Sequence, residues 1–552
     1  MANVLKSRRK TDIRIYDFTT FNFMTLRLFY NANIITIDSA LPKAESMVIN
    51  NLGIIEAVGT ELDLRNQFTS FSNEVDFQGQ TIIPGLNDSH IHVWKIGHLR
   101  TYMLDVRGVK SIVEFQRKLK EFANKNPNSE WILARGINEM VLEEKRLPTK
   151  EDLDAIISDR PVFVIRTCAH IGISNSKAMA ISKVDETTEV PFGGEIRKNQ
   201  DGSLQGIFTE RALGLIMNNI PPFTFEEYKN MILEAHNYLL SLGITSATDP
   251  AANEDLLAAY IKLDQEGLLK VRMNVFPLRI PDGSDKIQVL PEQYESDFLQ
   301  IKTVKFFSDG GLSSATAAIN VPYKNTDGYK GVLRLDYDTF YQTAKEAVDK
   351  GFSVATHAIG HQAVDLTLKV YRDLFKIDNT LRHRIEHVGF LSNENIKDFK
   401  QMNMTAAMQP IFIYELATNF KSTLSDELLE VVYPCKTVLD NGINLALSTD
   451  GPVVKEINPW VNMQTAVTRK ALDGFVIGES QKITFEQALH AYTFGSAVAD
   501  NLEHLKGSLS KGKYADFIVL NMNPFELENV SSVEANETWI NGELKYKLSI
   551  GN

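Results

Sequence analysis

The chain has 552 residues, 43% hydrophobic and 23% charged, the balance of a globular protein rather than of a disordered or collagenous one. With 58 Lys and Arg against 70 Asp and Glu, the net charge of −12 is a poor start for binding nucleic acid or an anionic membrane, and neither partner is expected. Cys168 and Cys435 lie too far apart for a CxxC pair and are too few for a disulfide framework, which fits a reducing, cytoplasmic location.

In chain order, residues 1–25 read as an N-terminal extension. Asp12 and Asp17 break it before any apolar stretch of a secretory signal can form. The runs LRLFYNANIITID and SMVINNLGIIEAVG read as short strands, the second folded at Asn50–Gly53. YADFIVLNMN and VEANETWINGELKY repeat that style near the other end, with Asn541-Gly542 as a hairpin turn. The two ends are therefore expected to meet in one small β-domain, residues 26–83 with 500–552.

Between them, residues 84–499 alternate strand-like runs with amphipathic helical windows. The strand candidates are TIIPGLNDSHIH, GITSATD, VRMNVF, VKFFSDG, FSVATHAIG, RIEHVGF, MTAAMQP and INLALSTD. Eight βα units imply an α/β chain folded as a TIM (β/α)8 barrel, whose active residues sit at the C-terminal ends of the strands. One helix, YDTFYQTAKEAVDKG, places Phe340, Ala344 and Ala347 on one face and stops at Gly351. About residues 95–230 are too many for one crossover. They form an insertion after strand 1, with strand-like WILARG and PVFVIR and a hairpin-like FGGEIRKNQDGSLQG, and are expected to cover the barrel mouth.

His90 and His92, two apart at a strand end, project from the same face and can share one ion. His357, His387 and Asp450 close later strands in the same way, 30 and 63 residues apart, or about one and two βα repeats. All five converge on one barrel face. Neutral imidazole and carboxylate suit zinc, and also iron, manganese or nickel. Lys305, in VKFFSDG of the fourth strand, is the odd member: an ammonium would repel a metal, whereas carbamylation by carbon dioxide would make it a bridging carboxylate.

PGLNDSHIH, VKFFSDGG, HAIG, RHRIEH, LSTDGP and GKYADFIVLNMNP together resemble the amidohydrolase superfamily, and within it amidohydrolase family 3, the YtcJ-like or N-substituted formamide deformylase-like proteins, over about residues 26–548. The resemblance implies a distorted TIM barrel, a composite β-sandwich from both termini, and hydrolysis of a C–N bond of a small molecule by metal-activated water. It assigns His90, His92 and Asp450 to a first metal, His357 and His387 to a second, and Lys305 as the carbamylated bridge; Asp450 would also carry the proton from water to the leaving nitrogen. It offers His170, in RTCAHIGISNSKAM, as a contact to substrate or oxyanion, with a buried structural histidine as the other reading.

Cys168 stands where relatives often carry an acidic residue, and His361 where they commonly carry Asp. Gln409 faces the pocket without assigned chemistry, Asp309-Gly310 reads as a turn, and Arg384 and His383 organise the strand of His387. His98, His236, His490 and His504 fall on helical or surface-like stretches. Trp94, Tyr323 and Trp460 lie near motif ends, as rim or core. A cyclic amide or ester is the alternative substrate, and a non-catalytic scaffold the alternative function. The expected partner is a small molecule, and homodimer formation is compatible with the sequence.

Overall fold

In the computed structural model, residues 25–167, 171–191, 193–281 and 286–549 are described. The extension up to Met24, together with Cys168 and His170, lies outside them. Nine short parallel segments fill eight strand positions: β1 (Leu86–Asp88), β2 (Ile244–Ala252), β3 (Arg272–Pro277), β4 (Leu299–Ile301), β5 (Thr303–Phe307), β6 (Ser353–Ala358), β7 (Arg384–His387), β8 (Thr405–Met408) and β9 (Asn444–Leu447). All eight runs expected from the sequence are strands.

β1 to β4 pair in order in one sheet and β5 to β9 in a second. β4 and β5 occupy one position broken at Lys302, which joins the sheets. Across that seam the Arg279 N–H donates to the Lys305 carbonyl at 3.1 Å, within a parallel bridge between Leu278 and Lys305. On the other side Ser89 Oγ donates to the Leu447 carbonyl at 3.1 Å, and the Asp450 N–H to the His90 carbonyl at 2.8 Å. The architecture is TIM-barrel-like. Its strands are buried nearly throughout because helices cover the outer side, which is why they read as continuous apolar runs.

Helix α1 (Val93–Thr101) begins directly after His92 and packs on α2 (Phe225–Ser241), whose start is set by a capping box between Thr224 and Glu227. The two helices nearly touch at Gly97, where a Cβ would lie 1.8 Å from the Met231 carbonyl oxygen. The helix Tyr337–Asp349 buries Phe340, Ala344 and Ala347 as their spacing requires, and Gly351 follows it at φ +83°.

The insertion builds its own sheet. Met103–Asp105, Ile132–Ile137 and Val162–Arg166 run parallel, followed by three antiparallel strands that include the hairpin Gly194–Lys198 and Leu204–Glu210. One face packs Ile132, Ala134, Val162 and Val164 on Phe115 and Leu119 of the helix Ile112–Lys125.

Strands from near both chain ends share one sheet. Thr81–Pro84, the strand leading into β1, lies between Asn33–Ile35 and Phe517–Leu520, which in turn pairs with the hairpin Ala535–Ile540 and Glu543–Lys547. The turn uses Asn541 at φ +55° and Gly542 at φ +65°, the left-handed pair that a two-residue hairpin needs. A four-stranded sheet, Ile55–Gly59, Ser46–Asn50, Leu26–Tyr30 and Asn73–Asp76, packs on it over Phe29, Phe77, Phe517 and Trp539, with ring centroids 5.4 to 6.0 Å apart. Arg272 of β3 fastens this body to the barrel, its Nε and guanidinium nitrogen reaching Asp516 at 2.6 and 3.0 Å. Among the described residues no helix is long and apolar enough to cross a membrane.

Candidate metal centre

The C-terminal strand ends bring the histidines together in a row. Ring centroids of His92 and His90 lie 5.9 Å apart, those of His90 and His387 4.9 Å, and those of His387 and His357 4.4 Å. Asp450 Oδ1 is 3.5 Å from His90 Nε2 and 3.3 Å from His92 Nε2, and one ligand atom each of His90, His387 and Asp450 lie within 4.8 Å of one another. His387 and Asp450 hold left-handed backbone, φ +77° and +53°, a conformation that disfavours side chains and gathers at functional sites. Lys305 points into the same place from β5, fully buried and without a hydrogen-bond partner.

Each ring is oriented from behind. His90 Nδ1 donates to Glu386 Oε2 at 2.6 Å, and Glu386 is held by Arg384 Nε at 2.6 Å. His387 Nδ1 donates to Gln409 Oε1 at 2.7 Å. Both bonds leave Nε2 as the free donor atom, the arrangement by which a carboxylate or amide fixes the tautomer of a metal-binding imidazole. His357 Nε2 sits 3.1 Å from the Gly310 carbonyl, which leaves Nδ1.

Burial keeps the rings neutral. It pushes His90, His357 and His387 well below the ordinary imidazole range, and lowers His92 to about 4 with the help of the Lys95 charge. Lys305 is brought down by burial to about 8. Burial works against ionising Asp450, but His90, His92 and Lys305 hold its carboxyl below the usual range. Neutral imidazoles and an ionised carboxylate are the protonation states a divalent cation requires, and burial moves Lys305 part of the way toward its neutral form. Three buried atoms, His92 Nδ1, Lys305 Nζ and Asp450 Oδ1, are left without a hydrogen bond. That is the mark of a site built for a group that supplies the missing contacts.

The roles of Glu386 and Gln409 as partners of ligand rings are not evident from the sequence. The signal was a carboxylate directly before His387 on a buried strand, since a buried carboxylate must have a partner. Asp309 does more than shape a turn: its buried carboxylate accepts the backbone N–H groups of Ala318, Ile359 and Gly360, tying the loop after β5 to the end of β6. Asp88 in β1 accepts from Thr449 Oγ1 at 2.7 Å and so links the two strand ends that carry His90 and Asp450. His361 stacks on Phe390, with ring centroids 4.3 Å apart. His98 and His236 lie on helices, α1 and α2, and both are buried. Tyr323 and Trp460 are core residues, whereas Trp94 lines a cavity.

The amidohydrolase family matches residues 73–546, most of the chain. The chain belongs to the amidohydrolase family. Relatives of this amidohydrolase include Protein LONG AFTER FAR-RED 3 of Arabidopsis thaliana, 31% identical over 94% of this chain and 91% of its own length. The putative amidohydrolase YtcJ of Bacillus subtilis is 28% identical over 90% and 95%, and the N-substituted formamide deformylase of Arthrobacter pascens 23% over 94% and 98%. A solved uncharacterized metal-dependent hydrolase from Pyrococcus horikoshii superposes with a TM-score of 0.76 at 26% identity, covering 92% of this amidohydrolase and 99% of that chain. The family match, the metal-dependent hydrolase among the solved structures and the buried cluster of His90, His387 and Asp450 make this chain a metal-dependent hydrolase of the amidohydrolase superfamily with a His and Asp site that suits a divalent cation.

Proposed function

We propose that the chain hydrolyses a C–N bond of a small molecule, an amide, formamide or carbamate-type bond, with His90, His92 and Asp450 holding one divalent cation and His357 and His387 a second. Zinc is the first choice for this donor set. Lys305, once carbamylated by carbon dioxide, would be the ligand the two share. The assignment of the bond follows the formamide deformylase among the relatives. Its physical support is the row of neutral imidazoles together with the unpartnered Lys305 Nζ and Asp450 Oδ1. A divalent metal bound there supplies Lewis acidity and brings water toward neutral acidity.

Asp450 then does the proton work. Its Oδ1, unsatisfied within the protein, takes the proton of the attacking water and returns it to the nitrogen that leaves, a transfer amide cleavage needs because an amide anion is a very poor leaving group. Glu386 and Gln409 hold the His90 and His387 rings throughout. Residues 84–499 form a closed, distorted barrel in this reading, with the insertion at about 95–230 over its mouth. Residues 26–83 and 500–552 form a composite β-sandwich.

The test is metal content against turnover. The purified protein should carry one or two transition metals per chain and hydrolyse simple formamides or amides, and chelation should abolish turnover until zinc, manganese or iron is restored. Lys305→Ala should lose one metal per chain and most activity, with partial rescue by small carboxylates. A chain that binds no metal and gains no hydrolysis on adding one is a scaffold, and the proposal falls.

A further inference from the structure

Five barrel strands send polar side chains to one acidic residue. Asn87 of β1, Thr248 of β2 and Asn274 of β3 donate to the Asp500 carboxylate at 2.8, 3.0 and 3.0 Å, and Gln300 of β4 donates to its backbone carbonyl at 3.4 Å. Lys506 Nζ donates to the same carboxylate at 2.8 Å, and Arg384 of β7 holds Nη1 3.7 Å from it. Asp500 itself caps the short helix Ser496–Ala499, outside the barrel strands. Every one of these side chains is buried, in a place where a barrel of this kind usually packs branched apolar residues. Asn87 and Arg384 each precede a ring of the metal centre, His90 and His387, by three residues along parallel strands, so the cluster lies beneath that centre.

Arg384 joins the two. Its Nε donates to Glu386 Oε1 at 2.6 Å, and its Nη2 to Glu386 Oε2 at 3.1 Å and to the Ser89 carbonyl at 2.7 Å. It thereby fixes both the carboxylate behind the His90 ring and the backbone directly before His90. Nη1 makes no hydrogen bond, and Asp500 is the charge it faces. Burial opposes ionising Asp500, but Lys506, Arg384 and the donors around it hold its carboxyl below the usual range. Arg384, Lys506, Glu386 and Asp500 are thus two cations and two anions, balanced away from water. Without Asp500, Arg384 would have Glu386 as its remaining counter-charge, and Lys506 would add uncompensated positive charge. A carboxylate drawn more strongly to its guanidinium is a poorer acceptor for His90 Nδ1–H, and the imidazole it backs becomes a weaker metal donor.

We propose that Asp500 is a positioning residue of the metal centre: by balancing Arg384 from below, it keeps Glu386 a strong acceptor for the His90 ring. This rests on the reading of His90 as a metal ligand given above. A purely structural tie would act through the number of hydrogen bonds to the carboxylate, whereas this role acts through its charge. The two are separable, because Thr248 contributes a bond and no charge, and Lys506 contributes the opposite charge.

The experiment measures zinc affinity against a chelator of known strength, and the low-field ring N–H proton of His90 in the zinc-loaded protein, assigned by its loss in His90→Asn. Asp500→Asn should weaken zinc binding by about tenfold and move that proton upfield, the direction of a weaker hydrogen bond. Lys506→Met, which leaves Asp500 to Arg384, should move it downfield. The double variant Asp500→Asn/Lys506→Met restores the balance of charge and should recover affinity to within about threefold of the parent. Thr248→Val should leave both affinity and proton as in the parent. Unchanged affinity and resonance in Asp500→Asn, no recovery in the double variant, or a loss in Thr248→Val as large as that in Asp500→Asn overturns the proposal while the metal centre stands. If Asp500→Asn does not fold, the shift in Lys506→Met decides, and an unmoved resonance overturns the proposal. Zinc affinity that His90→Asn leaves unchanged sinks the ligand assignment, and the proposal with it.

Discussion

Single residues carry the chemistry through the atoms they leave free. Glu386 accepts from His90 Nδ1 and presents the opposite nitrogen to the centre, so Glu386→Gln should weaken metal binding by about 10- to 100-fold. Competition against a chelator of known affinity measures this, and an unchanged affinity would mean the carboxylate does not orient the ring. Asp450→Asn keeps an oxygen for the metal but cannot take a proton; turnover should fall by about 10³-fold while metal is retained. A near-normal rate would remove the proton-transfer role. The positions of His90, His92, His357, His387 and Asp450 were legible because each ends an apolar run. Glu386 and Gln409 were not, because a partner that acts from behind a ring is fixed by strand register between distant segments, which spacing along the chain does not encode.

At the scale of elements, strands and their order were readable from short apolar runs separated by amphipathic windows. The break at Lys302 and the closeness of α1 to α2 were not, since both depend on how neighbours pack. That closeness makes a sharp prediction. A methyl group at Gly97 has no room against the Met231 carbonyl, so Gly97→Ala should cost about 3 kcal/mol. Denaturant unfolding would show it, and because His92 starts α1, metal affinity should fall with it. A variant as stable as the parent would show that the two helices part easily. The insertion was recognised by length alone. Its sheet order follows from tertiary pairing, including the parallel placement of Met103–Asp105 beside Ile132–Ile137.

For the whole molecule, stability rests on buried polar groups that join separate parts. The Arg272 pair with Asp516 is almost wholly buried, and Arg272→Ala, by leaving a carboxylate alone, should cost about 3 to 5 kcal/mol; two separated unfolding transitions in place of one would show the barrel and the terminal sheets parting. Acid should act through His236, which accepts the Lys270 N–H and is held by burial at about 3. A folded-state pKa below the unfolded ~6.5 means that protons favour unfolding. The stabilisation is complete above about pH 6.5 and is lost as the pH falls toward 3, the loss reaching about 2 kcal/mol at pH 5. In His236→Asn the drop in Tm between pH 7 and pH 5 should be smaller; an unchanged drop would place the acid sensitivity elsewhere.

The strand Thr81–Pro84, which runs directly into β1 and its histidines, is flanked on one side by Phe517–Leu520. During translation that edge stays open until Phe517–Leu520, more than four hundred residues later, has left the ribosome. The first metal-binding segment is thus made early and secured last. Nascent chains stalled before about residue 520 would expose an unpaired apolar edge, and premature termination would yield chaperone clients and protease substrates rather than a smaller working enzyme.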